Sequence, residues 1–555
     1  MKNQVKIFAL GGLDENGKNM YVVEVNDDIF VLEAGIRYPE SALSGVDIIM
    51  PDVGYLIKNK HRVKAYFISH GHDDIMGALP YVIRDVPAPI YTSRITSFLI
   101  EDAAHRFDRN IKFDFRLVKG NDEIEISGHK VLFFSTTHSV GESLGIAIDT
   151  GNGYVVYTGD FIIDYGALPQ YRTDVTALAK LGERNVLCLL TESIACDIPG
   201  HTSPGHKLTP VVEPVFADAK GRIITSFYTQ NLFGIREVID LAAKYKRKLL
   251  IYDEELRRIL HLVTRFGLLS IPPGMMLTHE ELNRPGNEDA VIIVTGLGEN
   301  LFRSLERIAG GDAEKHLVVQ PTDTFIIASP TIPGLEVMAT KVIDEVYKTG
   351  ASVLNIKRRQ VVSMHAHGED IKMILTLLRP KYFMPVKGEY RHLLTNAQIA
   401  VGMQQGFNHT NTFVYDNGMI ALFEDGVYKG YQGSIDVGEI MVDGLGVGDV
   451  GNLVLNDRQK LADNGVIILG VTVDTQAKKI VAGPDVQMRG LVYLKDADKL
   501  LKDVITTFES MVLDSMEKGE LGREDVKGKM RDKLAFIIRR ATGKDPIIMP
   551  MIVEV

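Results

Sequence analysis

The chain's 555 residues exceed what one hydrophobic core ordinarily organises, and with 45% apolar residues they can fill two or three globular domains. A formal net charge of -10 removes any global electrostatic sign of nucleic-acid binding, so contact with RNA or DNA must come from local basic runs such as Lys357-Arg358-Arg359 or residues 244–248. Two cysteines, Cys188 and Cys196, make neither a disulfide framework nor a four-sulfur zinc site, and both are expected as small core residues in a reducing cytosol.

Residues 1–6 run straight into a short strand at 7–10, too short for a signal-peptide core, and no apolar stretch approaches bilayer-spanning length. A cytoplasmic protein without membrane contact is expected. Further short β-branched runs at 21–25, 29–32, 66–68, 131–134 and 154–157, separated by glycine, asparagine and aspartate turns, read as packed sheets of a first domain, residues 1–205. After Gly205 the pattern becomes strand 222–227, helix 235–244, strand 248–252, strand 290–295 and helix 301–309. That alternation predicts an α/β domain with a parallel sheet over residues 206–350. Residues 351–424 return to the first domain's chemistry and carry a helix at 369–378 stopped by Arg379-Pro380. The glycine-dense stretch 425–460 reads as a linker. Strand 465–473, helices 500–516 and 523–540 and strand 547–555 then make a small α+β domain over 461–555, whose amphipathic helices fill its own core or pack on another subunit.

The segment Ser69-His70-Gly71-His72-Asp73-Asp74-Ile75 is nearly the metal-binding run H-x-H-x-D-H and departs from it at the last position. Two imidazoles two residues apart on a loop after an apolar strand can face one cation, with Asp74 reaching a neighbouring one. His138, in Thr136-Thr137-His138-Ser139, and Asp160, in Thr158-Gly159-Asp160, each follow an apolar strand in the same manner. One such residue alone is more often a turn or cap. The repeated placement favours a shared site.

With these motifs the sequence resembles the metallo-β-lactamase-fold nucleases of the β-CASP branch, and within them the ribonuclease J family. The resemblance also rests on Phe8-Ala9-Leu10-Gly11-Gly12, Gly17-Lys18-Asn19, Glu33-Ala34-Gly35, Ile332-Pro333-Gly334 and the run from Phe383 to Arg391, and it spans nearly the whole chain. It implies a metallo-β-lactamase αββα sandwich interrupted by the α/β insertion and followed by the α+β domain. It also implies a pair of metal ions. His70, His72 and His138 match ligands of the first, Asp74 a ligand of the second, and Asp160 the bridging aspartate, whereas the family's remaining histidines are replaced by Ile75 and Lys387. Isoleucine offers no lone pair and lysine offers one only when deprotonated, so the second position keeps only two carboxylates. The Lys387 ammonium is expected to stand where the second cation would sit. At most one tightly held ion is expected, zinc by donor type, with manganese as the alternative.

The resemblance assigns further roles. Glu192 matches an acidic residue that orients a histidine, and His365 the histidine that contacts the scissile phosphate and protonates the leaving oxygen. Val361, Val362, Ser363, Met364 and His365 form the expected substrate-contact segment, with Met364 where the family has glycine. The loop 328–334, including Ser329, resembles a 5′-phosphate pocket, and Thr295-Gly296 opens a second family segment whose pattern then lapses. The expected function is an accessory ribonuclease J paralogue of RNA maturation and decay. Such a protein binds single-stranded RNA, has weak or no activity of its own, and works in a homo- or hetero-oligomer with a catalytic homologue. An independently active 5′-3′ exo- and endoribonuclease is the alternative. A small-molecule hydrolase would not need the roughly 200 residues between Asp160 and His365, which suffice for a whole domain.

Overall fold

The computed structural model describes residues 3–39, 43, 45–107, 110–312, 317–331, 335–444, 446–448, 452–491, 497–521 and 523–555. The chain divides into two compact units, Met1–Tyr38 with Ile48–Ile440, and Pro39–Asp47 with Met441–Val555.

Two sheets face each other in the first unit. One places strands Gln4–Gly11, Met20–Val25, Asp28–Leu32 and Val63–Ile68 side by side, extended by Met419–Glu424 and Val427–Ser434 at one edge. The other runs Tyr382–Pro385, Val186–Thr191, Tyr154–Tyr157, Leu144–Asp149 and His129–Ser135. Because side chains alternate along a strand, Val5, Ile7 and Ala9 enter the core between the sheets while Phe8 and Leu10 join a different core on the outer face. Both faces must therefore be apolar, which explains the near-continuous apolar runs. Helices Val175–Gly182 and Gly368–Leu378 cover the second sheet through Leu178, Leu181, Ile371 and Ile374. The result is the expected αββα sandwich.

Between its two parts lies a parallel sheet in the order Met276–Leu277, Leu249–Ile251, Val291–Gly296, Ile223–Tyr228, Thr324–Ile327, Ser352–Asn355. Helices Glu299–Ala309 and Glu336–Lys348 cover one face. From Ile223–Tyr228, the first of these strands in the chain, the order departs in both directions, the topology whose carboxyl strand ends hold ligands in such sheets.

The stretch 425–460, expected as a linker, carries strand Val427–Ser434 and helix Asn452–Asn464. Its glycines belong to an irregular edge strand, where Gly430 and Gly433 adopt φ of 106° and 86° and the register slips. In the second unit, strand Val466–Asp474 lies between Lys479–Arg489 and Ile547–Glu554. Its alternate residues Ile467, Leu469, Val471 and Val473 are buried with Phe508 and Met530 of the two long helices. Among the described residues no helix is long and apolar enough to cross a membrane.

Candidate metal centre

Five of the sequence-selected polar residues of the site stand just past the end of a buried strand. Val63–Ile68 delivers His70, His129–Ser135 delivers His138, Tyr154–Tyr157 delivers Asp160, Val186–Thr191 delivers Glu192 and Tyr382–Pro385 delivers Lys387. His72 caps the short helix Asp73–Met76, which contains Asp74. That helix is seated by Gly35: Ala34 N donates to Ile75 O at 2.7 Å and Ile36 N to Asp73 O at 3.0 Å. A Cβ at Gly35 would fall 1.6 Å from the Asp74 carbonyl oxygen, so only glycine allows this approach.

The three imidazoles close on one another, with ring centroids 4.6, 4.6 and 4.8 Å apart. Their outward nitrogens are engaged. Ser69 Oγ lies 2.8 Å from His70 Nδ1, Ser139 Oγ 2.8 Å from His72 Nε2, and His138 Nδ1 donates to the Met364 carbonyl at 2.8 Å. The inward nitrogens, with a carboxylate oxygen of Asp160, lie within 4.8 Å of one another. Burial holds all three histidines below the ordinary imidazole range, which keeps their lone pairs available. His70 Nε2 and Asp160 Oδ1 find no hydrogen-bond partner among the described residues. Three neutral imidazoles and one carboxylate, with the buried His70 Nε2 left without a partner, are a donor set that fits a metal ion.

Residues 13–185 match the metallo-beta-lactamase superfamily, 220–346 the ribonuclease J beta-CASP domain, 353–406 the Zn-dependent metallo-hydrolase RNA specificity domain, and 453–555 the ribonuclease J C-terminal domain. Over 551 residues the chain is 34% identical to Ribonuclease J2 of Bacillus subtilis (strain 168), with 99% of each covered. The chain belongs to the ribonuclease J family. Ribonuclease J 2 of Staphylococcus epidermidis is 32% identical over 555 residues, covering 99% of this chain and 98% of that one. A crystal structure of a protein of unknown function from Enterococcus faecalis V583 shares the fold with TM-score 0.52 at 14% identity, covering 76% of this chain and 100% of that one. Membership places this ribonuclease J homologue in RNA processing.

Lys387 stands beside this cluster, where the sequence resemblance led to the expectation of a second metal position. Lys387 Nζ lies 2.5 Å from Asp160 Oδ2 and 2.8 Å from Asp74 Oδ2, with 1% of its side chain exposed. Burial opposes the charge, but Asp160 and Asp74 outweigh it and raise the ammonium's pKa. Burial alone would raise Asp160, whereas Lys387 and the imidazoles hold it well below the usual carboxylate range. Ile75 is fully buried in the apolar core with Ala34, Ile36, Met76 and Leu79. The donors left at this position do not fit a second ion.

Beside the cluster, His365 Nδ1 donates to Glu192 Oε2 at 2.6 Å, and Glu192 Oε1 accepts from Phe161 N at 2.8 Å and Ala366 N at 3.2 Å. Burial disfavours a charged His365, but Glu192 more than offsets this and raises its pKa. The Met364 side chain is buried with Ile162, Ala167, Tyr171 and Phe233. Val361 and Val362 are half-buried, Ser363 is exposed, and Val362 N donates to Gly205 O at 3.0 Å. Ser329, at the carboxyl end of Thr324–Ile327, lies 2.8 Å from Ser226 through their hydroxyls. The Ile332-Pro333-Gly334 part of that loop lies outside the described residues. Thr295, near the end of strand Val291–Gly296, donates its N–H to Asp253 Oδ2 at 2.6 Å.

The two basic runs separate. Residues 357–360 are exposed beside Thr331, whereas in 244–248 Lys244 pairs with Glu213 and the buried Arg247 donates to the carbonyls of Gly221, Asp289 and Ala219. The second run is thus committed to holding the fold. Sequence reasoning did not pick out Ser69 and Ser139, although both adjoin site histidines, nor Asn19, which donates to Asp74 Oδ2 at 3.1 Å. The Met364 carbonyl left no signal, because any residue supplies one.

Proposed function

We propose that this ribonuclease J homologue has weak or no 5′-3′ exo- or endoribonuclease activity and acts mainly as the RNA-binding subunit of a complex with an active homologue. The observation that carries the reading is the Lys387 ammonium, 2.5 and 2.8 Å from the two carboxylates that remain of the second metal position.

His70, His72, His138 and Asp160 would hold one ion, zinc by donor type or manganese. When bound, that ion supplies Lewis-acid polarisation of the phosphodiester. His365, oriented by Glu192, is placed to give a proton to the leaving oxygen, and Val361–His365 lines the path of the strand. Ser329 supplies a hydroxyl toward a 5′ phosphate. Lacking a second ion to clamp the other reacting oxygen costs on the order of 4 kcal/mol of transition-state stabilisation, about a thousandfold in rate. Assembly is supported by the C-terminal edge strand Ile547–Glu554, whose Met549, Met551 and Val553 are about half exposed.

Single-turnover cleavage of 5′-monophosphorylated RNA tests this. Ile75→His/Lys387→His is expected to cut at least tenfold faster than the wild type, while both bind RNA. Equal rates with efficient wild-type cleavage would establish the second reading, an independently active ribonuclease, which the intact His365–Glu192 pair favours.

A further inference from the structure

We infer that Lys387 replaces the second cation structurally, so that the pocket is held in shape by a covalently attached charge and needs no second divalent ion to stay folded around RNA. The inference rests on the reading of the site given above and adds a prediction about stability that does not depend on any cleavage rate.

Asp74 and Asp160 arrive from different sheets, one through the helix after Val63–Ile68 and the other from Tyr154–Tyr157. Lys387 enters from a third point, after Tyr382–Pro385, and one ammonium ties the three together. Its backbone is fastened on both sides: Lys387 N donates to Gly12 O at 3.0 Å and Ser193 N to Lys387 O at 3.0 Å. Lys387 also sits at φ 55°, a left-handed conformation that a non-glycine residue holds only when its surroundings impose it. The neighbours therefore aim the side chain. Without a cation here, the buried Asp160 carboxylate and the partly exposed Asp74 carboxylate, 28% exposed, would face each other with no positive charge between them. An ammonium satisfies both but offers no vacant orbital and no room, because Nζ stands at hydrogen-bond distance from the oxygens an ion would take. Ile75 completes the replacement by filling the other ligand position with core packing.

The test counts bound manganese per chain after dialysis and measures melting temperature in chelator and in excess manganese. The wild type is expected to bind no more than one ion. Lys387→Met is expected to melt at least about 5 °C below the wild type in chelator. Ile75→His/Lys387→His is expected to bind two ions and to gain more from manganese than the wild type does. Two ions on the wild type overturn the inference. So does a Lys387→Met protein that melts with the wild type in chelator. Should Lys387→Met not fold in either condition, the double variant decides: a response to manganese no larger than the wild type's also overturns it. Fast wild-type cleavage with one ion and the expected melting shifts would sink the proposed function and leave the structural role of Lys387 standing.

Discussion

His206 gives the protein a built-in sensitivity to acid at the start of the inserted domain. It precedes helix Thr209–Asp218, is 3% exposed, and neither ring nitrogen has a hydrogen-bond partner among the described residues. Asp164 Oδ2 lies 3.4 Å from Nε2 and the Phe233 ring is 5.3 Å away, with Lys207 also near Asp164. Burial pushes the imidazole down to about 4, against the opposing pull of Asp164. Protonation is then resisted in the native state and free in the unfolded chain, where the pKa is about 6.5. The associated stability is complete above about pH 6.5 and disappears as pH falls through about 4. Linkage gives a total of about 3 kcal/mol, of which about 2 kcal/mol is lost between about pH 7 and 5.

His206→Gln removes the titrating group and should flatten this part of the profile. Because the chain has no tryptophan, urea unfolding would be followed by circular dichroism for both proteins at each pH. The wild type should lose about 2 kcal/mol more than His206→Gln over that interval. Equal losses would refute the argument that the native state excludes the proton from this ring.

Two further substitutions probe other regions. Arg358→Ala/Arg359→Ala removes two exposed charges beside Thr331 and is expected to weaken single-stranded RNA binding and reduce the log–log salt slope by about 1.4; an unchanged slope would exclude the turn from the RNA path. Asp323→Ala leaves the Arg222 guanidinium buried without the partner it holds at 3.0 and 2.5 Å, which should cost about 3–5 kcal/mol in urea unfolding, and a loss under about 1 kcal/mol would show the pair to be dispensable.

What was legible in the sequence follows from how each residue signals. Strands such as 21–25 and 154–157 announce themselves because both faces are buried, and the site residues because each stands where an apolar run stops. Glu192 and Lys387 also follow apolar runs, but nothing local ties them, or His365, to the same site. They lie on the two sides of a whole inserted domain, and only the family resemblance joined them to His70. The seating of Asp74 by Gly35 and the hold of the Met364 carbonyl on His138 are long-range backbone contacts, invisible to periodicity. Glycines at 430 and 433 misled in the opposite direction, since a bulged edge strand and a linker share the same composition.

Ile75 and Lys387 depart from the metal-binding pattern at places far apart in sequence, yet Lys387 pairs with Asp74, the residue beside Ile75, and the two replacements solve different physical problems. Isoleucine at 75 removes an imidazole that would otherwise lie buried with no ion to bind, and adds an apolar side chain to a core that already contains Ala34, Ile36 and Met76. Lysine at 387 leaves Asp74 and Asp160 in place and offsets part of their charge, as those carboxylates require if no ion arrives. Either change alone would leave a strained site: an isoleucine with a histidine at 387 abandons two carboxylates, and a lysine with a histidine at 75 confines an unused imidazole beside an ammonium. Restoring one residue is therefore expected to destabilise the pocket more than restoring both, and equal or smaller losses for the single variants in urea unfolding would show that the two positions act independently.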